Sequence, residues 1–201
     1  SQFIIPLLAL CLGASVAAPA YAARLFTCGF EEFNFIQTVW VAVSASPPTI
    51  QTTTVHSGTY AMQVNTTTLQ SAQKNLTATV TSGTYFTRQF IRIASFPATA
   101  PAVLRIASNA GTDSLRVILD NTGPEFDLVN AIAGTTTDSS YTLSVDTWYR
   151  LETKLVISDT VGSMELKLFI DMETTPVETL NNASTDTLPT NIHQWHFGTG
   201  I

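Results

Sequence analysis

The chain has 201 residues, which suits one large domain, and its 12% of charged residues is about half the usual share. Uncharged polar residues replace the missing charges, and threonine alone occupies 32 positions. This composition favours β-strands and argues against a coiled coil, a helical bundle or a long disordered segment. The net charge of −6 argues against a nucleic-acid-binding protein, because phosphate neutralisation needs clustered lysine and arginine. Three histidines and two cysteines are also too few for a zinc module rich in these residues.

The N-terminal segment is apolar, and no charge occurs before Arg24. It ends in alanine-tyrosine-alanine at residues 20–22, which matches the small-residue pattern of a signal-peptide cleavage site. We therefore predict a signal-like apolar helix at residues 1–22, clipped at its N-terminus, and a secreted or cell-surface protein. A membrane anchor is the alternative, since more than 20 uncharged residues can span a bilayer. Cleavage would leave Cys28 as the only cysteine and would exclude a disulfide within the mature chain.

After residue 22, short strand-like runs alternate with turn residues such as those at 57–58 and 161–162. Regular spacing of short strands is typical of a β-sandwich or a barrel. The predicted strands, in chain order, are Leu25–Phe30, Thr49–Val55, Thr59–Asn65, Asn75–Thr81, Tyr85–Ser95, Ala102–Ala107, Leu115–Asp120, Phe126–Ala133, Trp148–Ser158, Ser163–Asp171 and His193–Phe197. The chain stops at Ile201 within a predicted strand and turn, so we expect that the domain is truncated at its C-terminus.

Two of the predicted strands have side-chain patterns that assign their faces clearly. The core-facing residues of Trp148–Ser158 and Ser163–Asp171 are Tyr149, Leu151, Leu155, Ile157, Met164, Leu166, Leu168 and Ile170. Their opposite faces carry Trp148, Arg150, Glu152, Lys154, Glu165, Lys167, Phe169 and Asp171. In Tyr85–Ser95 both faces are apolar, and Arg88 and Arg92 flank Phe90. We therefore expect the second face of that strand to be partly covered from water.

Five segments, taken in order, resemble a known superfamily. They are Gly29–Glu32, Ser57–Met62, Tyr85–Ile93, Asp146–Glu152 and Glu165–Asp171. The most recognisable pair is the tryptophan-tyrosine-arginine-leucine-glutamate strand at 148–152 and the strand that ends in aspartate at 171. This order is similar to the concanavalin A-like lectin/glucanase superfamily and its LamG-like domains. The resemblance implies an antiparallel two-sheet jelly-roll β-sandwich over residues 23–201.

The resemblance also implies a range of functions and a structural metal. Members of the superfamily include lectins, carbohydrate-binding modules, adhesion domains, glycoside hydrolases, polysaccharide lyases and phage particle proteins. They often bind a structural Ca²⁺, for which Glu31 or Glu32 would be the matching oxygen ligand in this chain. A capping or solvated pair of glutamates is the alternative interpretation of these two residues.

The sequence departs from the catalytic pattern that the resemblance implies for glucanases. Hydrolysis of a glycosidic bond needs two carboxylates, and these enzymes carry them as Glu-x-Asp-x-Glu on one strand. Asp171 and Glu173 fit that spacing, but Phe169 takes the place of the first glutamate. We interpret the two acids as the polar end of a hairpin strand and expect a protein without glycosidase activity. The nearest counterparts of lyase residues, at 85–86 and 191–193, occur in the wrong chain order.

The residues suited to binding a glycan lie on the non-core faces of two predicted strands. Aromatic faces stack on sugar rings, and planar polar groups bind hydroxyls. The predicted ligand-binding residues are Trp148, Arg150, Arg88, Phe90 and Arg92. Cross-strand ion pairs with Glu152, Asp120 or Glu165 are the alternative role of the arginines. Burial is the alternative for a further aromatic candidate, Trp195. His56 lies in a histidine-serine-glycine turn and is interpreted as an exposed turn residue.

We therefore predict a non-catalytic carbohydrate-binding, adhesion or particle-decoration module. Its partner would be a glycan, or a protein of a cell surface or virion, and it would contact a membrane only through residues 1–22. The alternatives are a divergent glycoside hydrolase or polysaccharide lyase on the same fold, and a structural phage coat or tail protein located in a virion.

Overall fold

A computed structural model describes residues 28, 40, 42–43, 46–65 and 70–199, and this part of the chain folds into strands. The strands are β1 (Ala42–Val43), β2 (Thr49–Gln51), β3 (Ala61–Gln63), β4 (Ser71–Val80), β5 (Gly83–Arg92), β6 (Ala102–Ala107), β7 (Asp113–Asp120), β8 (Glu125–Asn130), β9 (Thr135–Thr137), β10 (Trp148–Ile157), β11 (Gly162–Ile170), β12 (Glu178–Thr185) and β13 (Ile192–Gly198). The predicted apolar helix at 1–22 and the predicted strand Leu25–Phe30 lie outside the described residues. Within the described residues there is no helix long and apolar enough to cross a membrane.

Two antiparallel sheets make up most of the described fold. The larger sheet has the strand order β1-β4-β13-β6-β7-β8-β9, and the smaller sheet has the order β12-β11-β10-β5. Strands β2 and β3 form a separate antiparallel hairpin. This arrangement confirms the prediction of an all-β fold made of packed antiparallel sheets.

The hydrophobic core lies between the two sheets. The smaller sheet contributes Tyr149, Leu151, Leu155, Ile157, Met164, Leu166 and Leu168, and the larger sheet contributes Leu104, Ile106, Leu115, Val117, Phe126, Leu128 and Trp195. These side chains are buried, and they follow the two-residue alternation predicted for β10 and β11. Burying one large aliphatic side chain contributes about 1.5–3 kcal/mol. A slip of one residue would expose the whole set, so this alternation fixes the register of both strands.

Three described strands are absent from the sequence prediction, and each lies at an edge of its sheet. They are the short strands β1 and β9 and the eight-residue strand β12. Of the β12 residues, Leu180 alone is buried, and the others are mostly polar. An edge strand covered with polar side chains shows no clear hydrophobic alternation. In contrast, β6 has the bounds predicted for it, because its apolar residues pack in the middle of the larger sheet.

The pairing of β5 with β10 positions the predicted ligand-binding residues. The directly opposed pairs are Trp148–Arg92, Arg150–Phe90 and Glu152–Arg88. Tyr149 and Leu151, which alternate with the β10 members of these pairs, point into the core. The outer face of the smaller sheet is therefore shared by all three pairs.

Candidate functional site

The outer face of strands β5 and β10 carries all five predicted ligand-binding residues, and we call it the β5–β10 face. It comprises Arg88, Phe90, Arg92, Trp148 and Arg150. A cavity between the described residues runs along β5 and is lined from both faces of that strand, and four of the five residues contribute to its lining. The exception is Arg150, which lies beneath the surface of the face and is 8% exposed.

His56 covers part of the β5–β10 face. Its ring stacks on Phe90, with 3.9 Å between ring centroids and 19° between the planes, and it meets Trp148 edge-on at 5.1 Å. Nε2 of His56 lies 2.6 Å from Oδ1 of Asp171, and 17% of the histidine side chain is exposed. The interpretation of His56 as an exposed turn residue is therefore wrong, whereas the expectation that the second face of β5 is partly covered is confirmed at Phe90. At the far end of the strand, Phe86 is 64% exposed.

The loop that carries His56 joins β2 to β3 and is shaped by local hydrogen bonds. The side-chain oxygen of Gln51 accepts hydrogen bonds from the backbone N–H groups of Thr53, at 2.6 Å, and Thr54, at 2.8 Å. Its amide nitrogen donates to the carbonyl of Thr54. Gly58 has a φ of 80°, a conformation that glycine adopts without steric cost. These features turn the chain so that His56 lies over the sheet.

Arg150 holds the turn that follows β11. Its guanidinium lies over the ring of Phe169, with 4.0 Å between Cζ and the ring centroid. Nη1 donates to the carbonyl of Asp171 at 3.3 Å, and Nη2 donates to the carbonyl of Glu173 at 2.8 Å. Asp171 has a φ of 48°, in the left-handed region that aspartate tolerates better than most residues. Arg150 therefore acts on the face through the position of Asp171, and little of its own side chain is accessible to a ligand.

The other two arginines of the face form cross-strand or nearby ion pairs. Nε of Arg88 donates to Oε1 of Glu152 at 2.7 Å, and 66% of the Arg88 side chain is exposed. The same Glu152 oxygen lies 3.1 Å from Nε of Arg150. Nη2 of Arg92 lies 2.7 Å from Oδ1 of Asp146, and 26% of the Arg92 side chain is exposed. The pairing of arginine with Glu152 follows the alternative drawn from the sequence, and the pairing with Asp146 was missed because Asp146 precedes the strand.

The two acids that fit the glucanase spacing lie in the turn after β11. Asp171 pairs with His56, and Glu173 is exposed while its backbone carbonyl accepts from Arg150. Phe169, at the position of the missing glutamate, is buried under the Arg150 guanidinium. Trp195 is 2% exposed and belongs to the core, which agrees with the burial alternative.

The proposed calcium ligands cannot be placed on this face, since Glu31 and Glu32 lie outside the described residues. Among the residues that the structure does describe, no group of three or more histidine, cysteine, aspartate or glutamate side chains is arranged to hold a metal ion.

Comparisons with known proteins yield similar folds. No protein-family model matches the chain, and no curated protein matches it. One similar solved structure is the cellulose-induced protein Cip1, with a TM-score of 0.52 and 17% identity over 85% of this chain and 86% of Cip1. A protein of unknown function from Shewanella oneidensis MR-1 has a TM-score of 0.47 and 19% identity over 80% of this chain and 68% of its own. Basic winged bean lectin with Tn-antigen has a TM-score of 0.44 and 16% identity over 66% of this chain and 71% of the lectin.

The similarity to Cip1 is informative for the fold alone, because 17% identity is too low to transfer an activity. The similarity shows that this chain has a fold like that of Cip1, in agreement with the two antiparallel sheets of the described residues.

Proposed function

We propose that this chain is a non-catalytic carbohydrate-binding module that binds a glycan on the β5–β10 face. The observation that carries the proposal is the aromatic group formed by His56, Phe90 and Trp148 on that face. Trp148 is half-buried, and its indole is fixed on one side by the imidazole of His56. A rigid aromatic side chain of this kind presents an apolar surface to the C–H groups of a sugar ring at a small cost in conformational entropy.

The charged pairs beside the aromatic group suit the hydroxyl groups of a neutral sugar. The Arg88–Glu152 and Arg92–Asp146 pairs place donors and acceptors next to each other. A guanidinium has five N–H donors and a carboxylate has about four lone-pair sites, so each pair keeps hydrogen-bonding capacity for a ligand. Because the charges within each pair compensate each other, the face does not favour an anionic ligand over a neutral one.

The remaining parts of the proposal concern the setting of the module. Adhesion to a cell surface or decoration of a particle would use the same glycan-binding face, and a signal peptide at 1–22 would export the protein. A structural Ca²⁺ at Glu31 or Glu32 would raise the melting temperature. Melting curves with added Ca²⁺ and with a chelator test the last point, because a melting temperature that is equal in both would remove the metal from the proposal.

The test of glycan binding is an array screen of the purified chain, followed by calorimetric titration with the glycan that gives the strongest signal. We expect Trp148→Ala to weaken binding about tenfold or more, because it removes the stacking surface. Val161→Ala is the control, since it removes an exposed apolar side chain from the turn between β10 and β11, outside this face. Far-ultraviolet circular dichroism confirms that each variant is folded.

Two outcomes would overturn the proposal. One is an array without signal for a folded sample. The other is a titration in which Trp148→Ala binds as tightly as the unmodified chain, because the glycan would then lie elsewhere.

A divergent lyase or hydrolase is the second candidate function, and the His56–Asp171 pair is the observation that favours it. When the carboxylate accepts the proton on Nε2, the lone pair of the imidazole is on Nδ1. Nδ1 makes no hydrogen bond to any described residue, and the one hydrogen bond of the ring is that of Nε2 to Asp171. A histidine oriented by a carboxylate beside a ligand-binding surface is the arrangement of a general base.

The binding and catalytic functions are distinguished by the fate of the bound glycan. Incubation of the best array glycan with the chain, followed by mass spectrometry, detects chain shortening by either chemistry. A lyase would also create an unsaturated product that absorbs ultraviolet light. Cleavage that is lost in His56→Gln would establish the enzyme and refute the non-catalytic proposal, whereas an intact glycan after prolonged incubation supports binding alone.

A further inference from the structure

The outer face of the larger sheet carries a row of mostly polar and charged residues, on the other sheet from the β5–β10 face. Strand pairing aligns its members across β4, β13, β6, β7 and β8. In order, they are Gln73, His196, Arg105, Arg116 and Val129. The neighbours of both arginines along the chain, such as Leu104 and Leu115, are core residues, so the arginines point outward.

Arg105 and Arg116 lie directly opposite each other on adjacent strands. Two like charges in this position destabilise a sheet. Asp113 compensates one of them, because Nε of Arg105 donates to its Oδ1 and Nη2 of Arg105 donates to the carbonyl of Gly111. The hydrogen-bonding capacity of Asp113 is thus directed mainly at Arg105, and the three side chains keep a net positive charge.

Arg116 is left without a hydrogen bond to any described residue. Its Nε lies 3.8 Å from Oδ2 of Asp113, which is beyond hydrogen-bonding distance, and this atom is buried without a partner. The side chain is 37% exposed. By comparison, Arg88 and Arg92 each have a nitrogen 2.7 Å from a carboxylate oxygen. A buried donor without a partner costs free energy, and in native proteins such a group calls for an explanation, such as local strain, an ordered water or a bound ion.

His196 adjoins the arginine pair without adding a charge to it. It is 8% exposed and opposite Arg105, and burial together with the Arg105 charge lowers its pKa to about 4. Its Nε2 lies 3.1 Å from the side-chain oxygen of Gln194. At neutral pH the imidazole is therefore uncharged, and it contacts Gln194 while lying opposite Arg105.

We propose that Arg116 is the anchor of an oxyanion-binding site on the outer face of the larger sheet. The planar guanidinium presents parallel N–H donors that match a carboxylate or a sulfate in two-point geometry. The oxyanion is either a substituent of an acidic sugar or a free inorganic anion, and both would satisfy the same donors. This site is separate from the face proposed above to bind a glycan, and it does not depend on that function.

The acidic residues farther along the same face limit the size of the ligand. Asp127 is paired with Ile118, which lies two residues after Arg116 on the same face of β7. Asp120 is paired with Glu125 at the turn between β7 and β8. These three carboxylates would repel an extended polyanion. The site therefore accepts one anionic group and disfavours a polymer that carries a charge on each unit.

The test is nuclear magnetic resonance of the arginine Nε–H groups in the unmodified chain. The Arg116 signal is assigned by through-bond correlation with the other atoms of that residue. The probes are D-glucuronate, sodium sulfate and D-glucose at constant ionic strength. We expect the Arg116 Nε–H signal to move on titration with an oxyanion and to stay in place with glucose. The Nε–H of Arg88, which is exposed and already paired with Glu152, is the internal control.

The pattern of shifts identifies the source of the anion. Movement with glucuronate alone assigns the site to a carboxylate on an organic ligand, and movement with sulfate alone assigns it to an inorganic anion. Movement with both supports a general oxyanion site. An Arg116 signal that neither anion moves, or that moves no more than the Arg88 signal, overturns the proposal.

Two variants extend the test to affinity. Arg116→Gln removes the charge, so we expect it to weaken glucuronate or sulfate binding about tenfold or more, as measured from the backbone amide signals of β6 and β7. Arg116→Lys keeps the charge but lacks the planar guanidinium. Its affinity for the anion should therefore lie between those of the unmodified chain and Arg116→Gln. Unchanged affinity in Arg116→Gln would contradict the proposal.

Discussion

Nε2 of His56 lies 2.6 Å from Oδ1 of Asp171, although 115 positions separate the two residues in the chain. The contact joins the loop between β2 and β3 to the turn after β11, and it holds the imidazole over Phe90. Arg150 supports the same turn from the side of the sheet by donating to two of its carbonyls. The β5–β10 face is thus completed by a loop and a turn that do not belong to either strand.

Removing the imidazole should loosen the loop and uncover the aromatic group. We expect His56→Ala to increase backbone hydrogen exchange in residues 52–60 and to lower the free energy of unfolding by about 1 kcal/mol, because a stacked contact and a half-exposed pair are lost. Exchange is read by mass spectrometry and stability by urea unfolding. Asp171→Asn keeps an acceptor oxygen for Nε2–H, so it should leave the loop largely protected. Exchange that is equal in His56→Ala and the unmodified chain would show that the contact does not hold the loop.

Loss of the buried arginine should cost much more than loss of the exposed one. We expect Arg150→Met to lower the free energy of unfolding by about 2–4 kcal/mol. The carbonyls of Asp171 and Glu173 lose their hydrogen-bond donor, and the Glu152 carboxylate loses a nearby positive charge that is buried in the folded chain. Arg88→Met is the matched control on the same face. It should cost less than about 1 kcal/mol, because its ion pair is mostly exposed. Equal losses in urea unfolding would contradict the role assigned to Arg150.

The strands of the core were predictable because burial of one face produces alternating apolar and polar residues in the sequence. In β10 and β11 the alternation assigned the inner and outer faces correctly, and it placed Trp148 and Arg150 on the outer face with the residues of β5. The edge strand β12 has no such alternation, since most of its side chains are exposed or half-buried and polar. Its place in the sheet follows from pairing with β11, which is a tertiary contact.

The candidate site was predictable only as far as strand alternation extends. His56 was missed because a histidine-serine-glycine turn has the local signals of an exposed loop, and its stacking on Phe90 depends on a contact across the fold. Arg150 was predicted to bind ligand because alternation gives the face of a side chain but not its depth beneath neighbouring groups. The opposition of Arg105 and Arg116 needed the register of β6 and β7, which the sequence does not specify.

The stability of the protein should depend on pH through His196. Burial and the charge of Arg105 lower its pKa from 6.5 to about 4 in the folded chain. Between these two values the unfolded chain binds more protons than the folded one, so stability falls as the pH is lowered from about 6.5 to about 4. We expect the unmodified chain to lose about 1–3 kcal/mol more than His196→Gln between pH 7 and pH 4.5 in urea unfolding. Parallel pH profiles for the two proteins would refute this origin of the pH dependence.

Glu178 ties the edge strand β12 to the segment that follows β9. Its carboxylate accepts hydrogen bonds from the hydroxyl of Ser139, from the backbone N–H of Ser140 at 2.8 Å and from the backbone N–H of Tyr141 at 3.2 Å. Burial alone would raise the pKa of this group, but the hydrogen bonds outweigh it and hold the pKa below the usual 4.5. The ionised carboxylate therefore stabilises the fold above that pH, and the contribution is lost as the pH falls through the lowered value.

Replacing this carboxylate should affect stability most at neutral pH. We expect Glu178→Gln to lower the free energy of unfolding by about 1–3 kcal/mol at pH 7, because charge-assisted hydrogen bonds to the partly buried segment 139–141 are weakened. The difference from the unmodified chain should shrink as the pH falls through the lowered pKa of Glu178, because the glutamate then loses its charge. Glu173→Gln, at an exposed position in the turn after β11, is the matched control and should change stability by less than about 0.5 kcal/mol. A loss in Glu178→Gln that is equally large at pH 7 and pH 3 would show that packing, and not the charge of the carboxylate, ties the loop to β12.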